Sequence, residues 1–102
     1  MSGHTERWDG QLRQAEALAR EGKWPEAAAA LEASYADWSE RQTYLHIVTL
    51  HSAVDDAEGM YHRAMAFAGV QEDSEFLAEL ADLRDQLRLL AEMEKFSIKN
   101  VL

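Results

Sequence analysis

The sequence predicts an all-α fold, an up-and-down antiparallel bundle of four helices, or of three if the second and third are continuous. Two observations carry this. Apolar residues recur at steps of three and four along most of the chain, the period of a helix with one buried face. Only one proline and five glycines interrupt the 102 residues, and no stretch alternates with period two between turn signals, so no strand is predicted. Residues 1–4 read as a disordered or tag-derived N-terminus, and 5–102 as one domain.

The first helix is expected from about Thr5 to Glu21, with Trp8, Leu12, Ala15 and Leu18 or Ala19 on one stripe. Gly22 ends it, because glycine takes the left-handed position after a helix without a Cβ penalty. Pro25 opens the second helix at a first-turn position, where its missing N–H costs nothing. The stripe Ala27, Leu31, Tyr35 (or Ser34) and Trp38 then fades through residues 39–43, where a break is expected. One unbroken helix from Pro25 to Ala68 would be about 65 Å long, too long for a compact monomer, so the alternative is a kinked helix in a dimer.

The third stripe is Ile47, Leu50, Val54, Ala57, Tyr61, Ala64 and Ala68, closed by Gly69. Asp73 or Ser74 caps the fourth helix, whose face is Phe76, Leu80, Leu83, Leu87 and Leu90, widened by Leu77, Leu89 and Met93. This helix is expected to fade near Lys95, with the apolar tail Phe96, Ile98, Val101 and Leu102 docking on the bundle. No repeat of 20–50 residues is evident, and Ala15–Leu31 has no visible second copy downstream.

The formal net charge is −9, from 19 acidic and 10 basic residues. Nucleic acid and anionic lipid surfaces are therefore disfavoured, since they are bound through Lys and Arg. The chain has no cysteine, which removes disulfides and thiolate chemistry. No run approaches the ~20 apolar residues of a membrane span.

One polar constellation stands out. His51, Asp55, Glu58 and His62 fall within about 60° of one helix face, at the spacing of metal ligands. The competing reading is a solvated face of i,i+4 pairs, each worth a few tenths of a kcal/mol. His46 reads as a partly buried, hydrogen-bonded side chain. Trp8, Trp24 and Trp38 read as core from their register, with Trp24 at the corner the most exposed. No glycine-rich phosphate loop, nucleophile elbow or HExxH occurs, so neither an enzyme nor a cofactor is expected.

Two resemblances add to this. Ala15–Leu31, reading AxxLxxxGxWxEAxxxL with one residue's slack, looks like a tetratricopeptide helix-turn-helix over less than one repeat. Leu31 and Trp38, then His51 and Asp55, then the ending Glu94-Lys95-Phe96-Ser97-Ile98-Lys99-Asn100-Val101-Leu102, together resemble an uncharacterised bacterial family, domain of unknown function 4363. The resemblance spans most of the chain from about Trp24. It implies a small helical module behind one N-terminal membrane anchor, as found largely in Firmicutes, attached at the extracytoplasmic face, with no catalytic residues to carry over. This chain lacks such an anchor, so either it was removed or this member is soluble.

The expected function is a non-enzymatic interaction or scaffolding module that takes a protein partner or self-associates, using Trp24, Phe96 and Ile98. The alternative is a metal- or ligand-binding sensor built on the His51, Asp55, Glu58, His62 face.

Overall fold

A computed structural model describes residues 3–42 and 51–101, with side chains over 4–41 and 52–95. Four helices are present among them: α1 (Gly3–Arg20), α2 (Trp24–Gln42), α3 (His51–Gly69) and α4 (Asp73–Val101). They form an all-α bundle in which each helix packs on two neighbours, in the cyclic order α1, α2, α3, α4. The α1–α2 and α3–α4 hairpins make the broadest contacts, while the α2/α3 and α1/α4 seams are thinner. No helix among the described residues is long and apolar enough to cross a membrane.

The core contains the expected stripes. Trp8, Leu12, Ala15 and Ala19 come from α1, and Ala27, Leu31 and Trp38 from α2. Ala57, Tyr61, Ala64 and Ala68 come from α3, and Phe76, Leu80, Leu83, Leu87 and Leu90 from α4. Burying each large apolar side chain contributes about 1.5–3 kcal/mol before the entropy of ordering it. Where the register left two candidates, Ser34 is the buried residue and Tyr35 is half-buried. Ile47, Leu50 and His46 lie outside the described residues.

Ser34 and Tyr35 of α2 meet Tyr61 and Glu58 of α3, so the second and third helices lie side by side as separate elements. The break expected at residues 39–43 does not fall at 39–42, which are still helix, and 43–50 lie outside the described residues. Helix α1 starts two residues before the expected Thr5. The expectation that α4 fades near Lys95 is corrected: it continues to Val101, 29 residues in all. Nothing between Lys95 and Val101 is a glycine or proline, so no residue there breaks the helix. At the standard rise α4 is about 43 Å long. This helix accounts for the elongated envelope, 47 × 23 × 19 Å.

The expectation that Ala15–Leu31 has no second copy is also corrected. Residue i of the first hairpin corresponds to residue i+49 of the second. Buried Trp8, Leu12, Ala15, Ala19, Ala27, Leu31, Ser34 and Trp38 match buried Ala57, Tyr61, Ala64, Ala68, Phe76, Leu80, Leu83 and Leu87 in order. Only Trp24 and Leu90 fall outside this pairing, since their counterparts are the exposed Asp73 and the half-buried Arg41.

The turns repeat as well. Gly22 N–H donates to Ala19 O and Lys23 N–H to Leu18 O, both at 2.9 Å, which closes the first hairpin in a Schellman turn. Gln71 N–H to Ala68 O (3.1 Å) and Glu72 N–H to Phe67 O (3.0 Å) are the same bonds 49 residues on. Gly22 has φ 76° and Gln71 has φ 57°, so a glutamine fills the left-handed position that glycine fills in the first hairpin. The first intrahelical bonds, Ala27 N–H to Lys23 O and Phe76 N–H to Glu72 O, again match, which makes Glu72 the capping position in place of Asp73 or Ser74.

The repeat escapes a search for identities because few residues are shared. Six identities lie in one stretch: Ala15, Ala17, Ala19, Glu26, Ala29 and Leu31 recur as Ala64, Ala66, Ala68, Glu75, Ala78 and Leu80. The obvious markers of the first hairpin, Gly22 and Pro25, become Gln71 and Ser74. What repeats is which positions are buried. An approximate two-fold axis along the bundle thus relates α1 to α3 and α2 to α4.

Candidate functional site

The polar face of α3 is the first place to look. Its N-terminal member, His51, has its side chain outside the described residues. Glu58 is half-buried, and its Oε2 accepts a hydrogen bond from the Tyr35 hydroxyl of α2 at 2.9 Å. That bond, then burial, raises the Tyr35 pKa above the usual phenol value. His62 is exposed and lies against the Tyr35 ring, centroids 5.4 Å apart. Asp55 is exposed and has an interaction of its own. Among the described residues no group of three or more His, Asp or Glu side chains is placed to hold a metal ion. Asp55, Glu58 and His62 share a face, and Tyr35 already engages two of them.

Beneath this face lies a buried polar pair. Tyr61 is fully buried, and its hydroxyl is 2.8 Å from the Ser34 hydroxyl. Burial pushes the Tyr61 pKa far above the ordinary phenol range, against a smaller lowering by Ser34, so the hydroxyl stays protonated. Tyr35 and Trp38 close on the same ring, Tyr35 edge-on at 5.3 Å and Trp38 tilted at 5.2 Å. This cluster seals the α2/α3 seam.

Trp24 is core, as its register suggests, and is the most exposed of the three tryptophans. Only 9% of it is exposed, and it meets Phe76 edge-on at 5.2 Å. The chain turns so sharply at Gly22 and Lys23 that the next side chain folds inward over the top of α4. Phe96 and Ile98 belong to the last turns of α4, and their side chains lie outside the described residues.

Exposed apolar side chains lie elsewhere. Leu89 is 49% exposed, although its sequence pattern suggested a widened core face. At 100° per residue Leu89 stands roughly 140° round from the Phe76–Leu80–Leu83–Leu87–Leu90 stripe, so it cannot reach the interior. That angle was available in the sequence and would have found it. Leu89 and Val70 are the exposed large hydrophobic side chains of the described residues.

Leu89 lies in a groove of about 540 Å³ between the first turn of α1, the last turn of α2 and the C-terminal half of α4. Arg41, Arg88 and Lys95 alternate there with Glu6, Glu92 and Glu94. Glu94 occupies the next position of the core stripe after Leu90, and burial raises its pKa above the usual carboxylate value, with Arg41 pulling the other way. Balanced charge around an apolar floor suits a polypeptide with both signs better than a simple anion.

A family-wide sequence profile described as "Domain of unknown function (DUF4363)" matches residues 2–101. No curated protein and no solved structure matches the chain.

Proposed function

The chain belongs to the family called domain of unknown function 4363, and we propose that it is a non-enzymatic helical interaction module. Its working surface is the groove at the C-terminal end of the bundle. The observation that carries this reading is half-exposed Leu89 in a groove with charges of both signs. Such a surface offers an apolar contact ringed by polar groups, the usual arrangement of a small protein interface. The two seams close the remaining sides of the bundle. The sensor reading gains no comparable support, because Glu58 is already held by Tyr35.

A photo-crosslinking residue at Leu89, compared with one at exposed Glu32 on α2, tests the proposal in the cell that makes the protein. Discrete adducts at position 89 and none at 32 support it, whichever protein is captured. The same pattern at both positions, or none at either, overturns it.

A further inference from the structure

We propose that the groove and the outer face of α4 pair with a second copy of this chain, the two α4 helices crossing antiparallel about residue 90. This rests on the interaction-module reading and names the partner for that same surface.

The outward half of α4, away from the core stripe, carries Asp85, Arg88, Leu89, Glu92 and, at its edge, Lys95. An antiparallel pair with its axis at residue 90 sets residue i against 180 minus i. Arg88 then meets Glu92 of the second copy, and Asp85 meets Lys95, each contact occurring twice by symmetry. Leu89 and its symmetry mate fall beside the axis, where a helical contact is tightest. The position of Phe96, seven residues on, falls on the same stripe.

Charge supports a second copy in particular. The whole chain carries −9, so two copies repel over most of their surface. From Asp85 to Lys99, however, three acidic residues (Asp85, Glu92, Glu94) balance three basic ones (Arg88, Lys95, Lys99). Along this length of α4 another copy can approach without net repulsion.

The groups already pair on their own chain, Arg88 with Asp85 and, at 3.9 Å, with Asp9 of α1, and Lys95 with Glu92; the four side chains of α4 are more than half exposed. Exposed pairs of this kind hold little energy, so exchanging them for contacts across an interface costs little. One helix pair falls at the small end of specific interfaces, below about 1,200 Å², so the association is concentration-dependent.

The absence of cysteine makes the geometry directly readable. Leu89→Cys and Ala78→Cys are each treated with a short bismaleimide, and sedimentation follows wild type, Arg88→Glu, and Arg88→Glu combined with Glu92→Arg. In the antiparallel pair the two copies of position 78 stand about 36 Å apart along the axis, so only the residue-89 variant should crosslink. Arg88→Glu should weaken the dimer about tenfold, and the double reversal should recover it. Melting curves show whether each variant is folded.

Crosslinking at 78 as readily as at 89, failure of the double reversal to recover association, or a concentration-independent monomer overturns the inference. A monomer whose Leu89 position still captures a different protein removes the second copy and leaves the module reading. A monomer that captures nothing removes both.

Discussion

The α1/α4 and α2/α3 seams occupy equivalent places in the two-fold bundle and are closed by different chemistry. In the first, Arg84 Nε donates to Asp9 Oδ1 at 2.6 Å, and Nη1 lies 3.5 Å from Glu16. The hydrogen bond to Asp9 is the main reason its pKa rises, so it stays a cation. In the second, the counterparts of Arg84 and Asp9 are Tyr35 and Glu58, joined by a neutral donor at 2.9 Å. One layer further in, Leu83 and Leu12 are both apolar in the first seam, whereas their counterparts Ser34 and Tyr61 form a hydroxyl pair in the second. The lesson is that burial is fixed by position while the chemistry of the seal is free. Two equivalent hairpins could in principle mispair, and unlike seals make each helix recognise its own neighbour.

The largest effect should come from the aromatic that the second hairpin lacks. Trp38→Ala removes a fully buried indole and should cost about 3–5 kcal/mol, more than Leu87→Ala at the equivalent position, as read from thermal melts. Equal costs would mean that the two lower cores are less different than their side chains suggest.

The hydroxyl pair comes next. Tyr61→Phe leaves the buried Ser34 hydroxyl short of a partner and should cost about 1–2 kcal/mol. Adding Ser34→Ala should recover part of that, and additive losses in the double-mutant cycle would deny the coupling.

The two turns give an effect of opposite sign. Gln71→Gly should stabilise by about 1 kcal/mol, because Gln71 holds φ 57° against its Cβ. Gly22→Ala should lose a similar amount, about 1 kcal/mol, from backbone conformation alone, since a Cβ there meets nothing within 4 Å. Chemical denaturation midpoints of both variants check this pair together.

The smallest effect belongs to Glu94. Its folded pKa is raised, so the native state binds the proton more tightly than the unfolded chain, and ionisation works against folding as pH rises through the folded value. Glu94→Gln should therefore raise the melting temperature slightly at neutral pH, with the gap closing below the ordinary carboxylate value of 4.5. A gap that widens in acid would reverse the sign of this account.

Much of this architecture is legible in the sequence because stripes such as Phe76–Leu80–Leu83–Leu87–Leu90 state their period directly. The end of α4 is harder to read. Apolar tails such as Phe96–Leu102 suggest docking, yet with no glycine or proline present the backbone continues as helix. Trp24 was legible as core and as the most exposed tryptophan, while the turn geometry that folds it inward is set by backbone hydrogen bonds. The repeat was hidden because volumes are exchanged between seams: Trp8 and Ala57 trade sizes, as do Leu12 and Tyr61. The groove around Leu89 was legible as an angle on the helix, but its walls come from α1 and α2 and need the folded chain.

The equivalence of the two seams can be tested by transplanting one seal into the other. Position 35 corresponds to 84 and Glu58 to Asp9, so Tyr35→Arg should find a carboxylate already in place. We expect Tyr35→Arg to melt well above Tyr35→Ala in low salt and to lose that advantage as sodium chloride is added, while Tyr35→Phe shows the salt response of wild type. If Tyr35→Arg is as unstable as Tyr35→Ala at every salt concentration, the two seams are not equivalent and the two-fold account of the bundle fails.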